Sequence, residues 1–309
     1  MATAPSVRHA EHGDVRIAYE TFGDPASGEP LLLIMGLDFQ MVWWHDDFCR
    51  ALVERGFAVT RFDNRDAGLS THFTSPEVSR PWRAALGRQA PPYTVLDMVG
   101  DGLAVMDAVG WRSAHVLGGS LGGLVAQVTG LLHPERTRSV ISAMSSPLAR
   151  NPLRAMTYLR LGTILTLARA TRTATSDEQK IEELTAAYRL VAGPGEGFDE
   201  EWALATARLS HERHPQDPSA TQRQMSAGRG VSLPPLSSLS VPLLVINGER
   251  DPLIKASAGR ATARAVPGAR LVSYPTMAHA FPRPLWPQII DELATFTGIA
   301  DRAPATESR

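Results

Sequence analysis

Three residues in one order along the chain could carry acyl-transfer chemistry: Ser120 within Gly118-Gly119-Ser120-Leu121-Gly122, the carboxylate Asp251, and His279. A serine hydroxyl is a poor nucleophile at neutral pH, so it needs a base to take its proton and an acid to orient that base. The G-x-S-x-G pattern is weak alone, and its flanks give it meaning. Ala114-His115-Val116-Leu117 before it reads as a buried strand, and Leu121 to His133 after it has helical length and composition. The serine therefore belongs on a strand-to-helix turn so sharp that a Cβ at Gly118 or Gly122 would collide with neighbouring backbone. There the Leu121 N–H points at a developing oxyanion, and the helix dipole favours negative charge. A phosphate cradle is the other use of a glycine-rich turn, but neither a dinucleotide fingerprint nor a Walker lysine accompanies this one.

The acid and the base fall where such a serine needs them, after it in the chain and past the ends of later strands. The apolar run Val241 to Ile246 leads into Asn247-Gly248-Glu249-Arg250-Asp251-Pro252, and Arg270 to Tyr274 leads into Pro275-Thr276-Met277-Ala278-His279. Asp251 competes with a plain turn-forming role before Pro252 and with Glu249 as the acid. The preceding strand ends in Ala143-Met144-Ser145-Ser146 and offers no carboxylate. Of nine histidines, His279 alone follows the last strand. His133 suits a helix end and His115 the inside of a strand. His9, His12, His45, His72, His211 and His214 read as loop or surface residues, with His45 and His72 as pocket neighbours. A second oxyanion donor is expected in the loop after the first central strand, Met35-Gly36-Leu37-Asp38, where Gly36 permits a backbone that aims the Leu37 N–H at the site. The loop continues into Trp43 and Trp44. With Gly36 they are the expected substrate-lining residues, against the alternative of core tryptophans.

The elements that would position these groups alternate. Apolar runs at Leu31 to Met35, Phe57 to Phe62, Ala114 to Leu117, Ser139 to Met144, Val241 to Ile246 and Arg270 to Tyr274 suit strands buried on both faces. Between them lie helical patterns at Asp46 to Arg55, Val95 to Val109, Leu121 to His133, Ala256 to Val266 and Leu285 to Thr297. This predicts an α/β, mostly parallel, doubly wound sheet, with two short strands around His12-Gly13-Asp14 ahead of it. The alternation breaks once. Helices are predicted at Leu153 to Arg172, Asp177 to Val191, Asp199 to His211 and Ala220 to Ala227, an insertion between two strands of one sheet. The expected division is a core of residues 1–147 and 231–300, a helical cap of 148–230 and a frayed tail of 301–309. The proline-bearing stretch Thr71 to Pro92 is long enough for a loop that serves a site.

Composition narrows the function classes. Thirty-one basic residues stand against 32 acidic ones for a net charge of −1, which gives no electrostatic reason to expect a nucleic-acid or membrane partner. Cys49 is the only cysteine, so intrachain disulfides and thiolate metal clusters are excluded. No export signal or spanning segment is visible, and a cytoplasmic address is expected.

Taken together, the chain resembles the α/β-hydrolase superfamily, and more narrowly a group of bacterial esterases that includes aclacinomycin methylesterase. The likeness rests on Gly13-Asp14-Val15, Phe22 to Ala26, Leu31 to Gly36, Arg61 to Ser70, the serine turn, Val241 to Pro252 and Met277 to Ala280. It implies an α/β-hydrolase fold with Ser120 as nucleophile, His279 as base, Asp251 as orienting acid and the N–H groups of Leu37 and Leu121 as oxyanion hole. No metal or other cofactor is implied. The Asp and Arg residues of Arg61 to Ser70 are implied to tie loops together beneath the site. Departures are Gly119 in place of a larger side chain and a Met-Gly-Leu oxyanion loop lacking the usual His-Gly. The expected activity is hydrolysis of medium-sized, mostly apolar carboxylic esters, a methyl ester of a polycyclic metabolite among them. Lactone hydrolysis, cofactor-free perhydrolysis and silent ligand binding are the alternatives that the same residues allow.

Overall fold

Strands with side chains buried on both faces need helices on each side of the sheet, and that is the arrangement found in a computed structural model of the chain. It describes residues 5–74, 91–148, 152–170, 175–193 and 198–299. Eight strands form one sheet: β1 (Arg8–His12), β2 (Val15–Phe22), β3 (Glu29–Ile34), β4 (Phe57–Phe62), β5 (Ala114–Gly119), β6 (Thr137–Ala143), β7 (Leu243–Gly248) and β8 (Arg270–Tyr274). Their order is β1-β2-β4-β3-β5-β6-β7-β8. The β1–β2 and β2–β4 pairs are antiparallel, and every later pair is parallel. Every residue of β3, β4, β5 and β7 is buried, as central strands covered by helices on both faces should be.

The flanking helices are α1 (Asp46–Glu54), α2 (Val95–Val109), α3 (Leu121–Leu132), α9 (Ala256–Ala265) and α10 (Trp286–Thr297). One apolar cluster unites Ile17, Leu32, Phe62, Met98, Met106, Val125 and Val128 on one face of the sheet. A second unites Leu31, Leu33, Phe48, Leu52, Phe57, Leu244, Ile289 and Leu293 on the other. Between β6 and β7 runs a block of helices: α4 (Pro152–Thr157), α5 (Leu161–Ala170), α6 (Asp177–Ala192), α7 (Glu200–Arg213) and α8 (Pro218–Ser226). Ser176, Asp199 and Asp217 accept backbone N–H bonds at the starts of α6, α7 and α8.

The helix expected over Leu153 to Arg172 is two helices. Leu159 pairs with Ile254 as an isolated β-bridge, the Arg160 N–H donates to the Leu253 carbonyl, and the Lys255 N–H donates to the Tyr158 carbonyl. These long-range bonds take the backbone groups that a continuous helix would need, so tertiary pairing overrides local propensity. Most of the Thr71 to Pro92 stretch, and the tail 301–309, lie outside the described residues. Among the described residues, no helix is long and apolar enough to cross a membrane.

Candidate active site

The β5–α3 turn is built as the glycine spacing demands. Ser120 sits at φ 55° and ψ −116°, a strained conformation for a residue with a side chain. A Cβ on Gly118 would lie 2.0 Å from the Gly122 carbonyl oxygen, and one on Gly122 would lie 2.2 Å from that of Ile34. Only glycine fits at either place. The strained serine is held at both backbone ends: its N–H donates to the Ala143 carbonyl at 2.9 Å, and its carbonyl accepts from Ser145 Oγ at 2.7 Å.

Asp251 and His279 meet. The carboxylate is 2% exposed and its Oδ2 lies 2.6 Å from His279 Nδ1. Its other oxygen accepts the backbone N–H groups of Leu253 and Ile254, both at 2.8 Å. Every strong demand of a buried carboxylate is thus met, and Nδ1 of the ring is fixed as the donor, leaving Nε2 as the acceptor. Gly248 is needed where β7 passes the histidine loop, since a Cβ there would be 2.1 Å from the Met277 carbonyl oxygen. Glu249, the rival acid, is exposed and pairs with Arg260 at 3.4 Å. Among the described residues the Ser120 hydroxyl makes no hydrogen bond with His279; such bonds commonly tighten only when substrate is bound.

The loop after β3 lies against the serine. A Cβ on Gly36 would sit 3.2 Å from Ser120 Cβ and 3.9 Å from its Oγ. Neither the Leu37 nor the Leu121 N–H has a protein acceptor among the described residues. Below, Asn64 Nδ2 donates to the Met35 carbonyl at 2.9 Å and Asp63 Oδ1 accepts the Met41 N–H at 2.7 Å. Trp44 is buried beside Met144 at the Gly119 position, where an added Cβ would touch both at 3.7 Å, so these two side chains occupy the room that a larger residue at 119 would need. Its Nε1 is buried with no acceptor among the described residues. Trp43 goes elsewhere: it packs with Tyr188 and Trp202 of the helical block, and its Nε1 donates to Ser210 Oγ at 2.9 Å.

The helical block touches each of these loops. The His279 N–H donates to the Val191 carbonyl at the end of α6, and Arg160 Nε donates to the Asp251 carbonyl, both at 2.9 Å. Asp66 and Arg223 form a two-bond ion pair at 2.8 and 2.9 Å, and Asp63 pairs with Arg213. Sequence reasoning saw Asp63 and Asp66 as loop ties but not their partners, because the pairs are 150 and 157 residues apart and no local pattern marks them. His45 caps α1 by accepting the Asp47 N–H at 3.0 Å, and His72 stacks on His214 with ring centres 3.6 Å apart, so neither belongs to the Asp251–His279 pair. A second serine–histidine–carboxylate chain exists, Ser139–His115–Glu29 at 2.7 and 3.1 Å, but all three residues are buried within strands. Among the described residues no group of three or more metal-ligating side chains converges.

A sequence model of the family described as alpha/beta hydrolase fold matches residues 29–282. The chain belongs to this family. Among alpha/beta hydrolases it is similar to the rhodomycin D methylesterase DnrP of Streptomyces peucetius, with 28% identity covering 89% of this chain and 92% of the relative. Solved alpha/beta hydrolases of matching fold include an esterase from a Rhodococcus species, with TM-score 0.72, 20% identity and coverage of 95% of this chain and 98% of that one. Another is the enol-lactonase of Burkholderia xenovorans, with TM-score 0.70, 21% identity and coverage of 94% and 100%.

Proposed function

We propose that the protein is a serine hydrolase that cleaves carboxylic esters through an acyl-enzyme. The observation that carries this reading is the buried Asp251–His279 pair at 2.6 Å, on the same sheet edge as the strained Ser120. In the proposed reaction His279 Nε2 takes the Ser120 proton as the hydroxyl attacks the ester carbonyl. The oxyanion is met by the N–H groups of Leu37 and Leu121, both without a protein acceptor among the described residues, at the edge of a positive helix terminus. The alcohol leaves with the proton carried by the imidazolium, which Asp251 stabilises. Water, activated by the same histidine, then releases the acid and restores Ser120.

The walls and the relative support one substrate class. We infer a medium-sized, mostly apolar ester, and a methyl ester of a polycyclic metabolite fits best. The backbone of Gly36 lies against the serine, Trp44 and Met144 pack at the neighbouring Gly119, and the relative of 28% identity over most of this chain is a methylesterase. The helical block of 148–230 acts as a cap over a hydrolase core, a division supported by its contacts to all three loops.

Hydrolysis of p-nitrophenyl acetate, butyrate and octanoate by wild type beside Ser120→Ala tests the proposal. The expected result is activity that peaks at one acyl length and falls by at least about 10⁴-fold in the variant. Equal turnover by both proteins would refute the assignment of Ser120.

A further inference from the structure

We propose that Gln224, on α8 of the helical block, is a positioning residue for the oxyanion loop; this rests on the reading of Leu37 as an oxyanion donor. Gln224 is 1% exposed, and both ends of its amide are used across the core–cap boundary. Oε1 accepts the Asp38 N–H at 3.0 Å, while Nε2 donates to the Arg65 carbonyl at 2.9 Å. Arg65 belongs to the turn whose Asn64 holds the Met35 carbonyl from below. One side chain therefore ties the far end of the Gly36–Leu37–Asp38 turn to the loop that supports its near end.

The backbone explains why this matters. Peptide planes are rigid, so fixing the Asp38 N–H fixes the Leu37–Asp38 plane. Only the two soft torsions of Leu37 then separate that plane from the Leu37 N–H. Asp38 sits at φ 68°, in the left-handed region, which Asp enters more readily than most residues but still at a cost that its surroundings must offset. Those surroundings come largely from the cap. Beyond Gln224, Gln216 Nε2 donates to the Asp38 carbonyl at 3.4 Å. Two residues on, Gln40 donates to the carbonyls of Ser210 and His214 at 2.7 and 2.9 Å. The oxyanion turn is thus hung from the cap and not carried by the sheet alone. An oxyanion donor is effective only when preorganised, so loosening this suspension costs transition-state stabilisation more than substrate binding.

The test compares Gln224→Met, which is close in shape and keeps neither hydrogen bond, with Gln224→Glu, which keeps an acceptor for the Asp38 N–H and loses the donor to Arg65. Turnover of p-nitrophenyl butyrate is divided by the active sites that a fluorophosphonate titrates, so unfolded protein does not count. The Met variant is expected to lose about 10- to 100-fold in kcat with KM changed by less than about threefold, and the Glu variant to recover most of that loss. Gln216→Ala, which removes the bond to the Asp38 carbonyl, gives the same sign with a smaller loss, and stands in if the Met variant does not fold. Unchanged kcat per titrated site in all three, even with lowered melting temperatures, reduces Gln224 to a structural tie and overturns the proposal. An active Ser120→Ala instead overturns the Ser120 reading itself, and this proposal with it.

Discussion

At the scale of single residues, environment decides between chemically equal candidates. Asp251 and Glu249 are two positions apart, yet only Asp251 is buried, receives two backbone N–H groups and touches His279. Asp38 shows the opposite treatment. Desolvation at its half-buried place, with Thr221 opposing and repulsion from Asp217 adding, pushes its carboxyl up to about 7. Between about pH 4 and 7 the folded protein therefore holds a proton that the unfolded chain has released, so stability falls as pH rises through that window and levels off above it. Asp38→Asn, which also tolerates the left-handed backbone, removes this penalty. Its melting temperature should exceed that of wild type at pH 8 and approach it near pH 4.5; parallel curves across the range would contradict the assignment.

At the scale of elements, much of the candidate site's geometry was legible because turn chemistry is local. A buried-strand run, a glycine, a serine and a helical run within about twenty residues define the β5–α3 elbow, and two further strand ends deliver Asp251 and His279. The geometry also ranks glycines that look alike in sequence. Gly118→Ala drives a Cβ into the Gly122 backbone and should cost about 3 kcal/mol in urea unfolding, whereas Gly119→Ala meets Trp44 and Met144 at ordinary contact and should cost less than about 1 kcal/mol. The break between α4 and α5 was not legible. Leu153 to Arg172 contains no internal proline or other breaker strong enough to mark it, and the interruption comes from pairing with residues about 95 positions later. Trp43 and Trp44 read alike in sequence for the same reason: Trp43 packs on the helical block while Trp44 packs in the sheet core, a choice set by long-range contacts.

At the scale of the whole molecule, the helical block between β6 and β7 is bound to the rest of the fold through charge as well as packing. Arg223 and Asp66 are 4% and 0% exposed at the side chain, and breaking a buried pair leaves an uncompensated charge. Arg223→Met should cost about 3–5 kcal/mol in denaturant unfolding, against less than about 1 kcal/mol for Arg50→Ala on the surface of α1. A similar loss for both would mean that the clasp contributes little. Through Val191, Arg160 and Gln224 the same helical block bonds to the loops of His279, Asp251 and Leu37. The central claim remains the nucleophile. Peptide mapping by mass spectrometry after reaction with a fluorophosphonate tests it most directly: the account predicts one adduct per chain, on Ser120, formed at least about 100-fold more slowly when His279 is replaced by alanine. An adduct on another residue, or ester turnover that survives with Ser120 unlabelled, would contradict it.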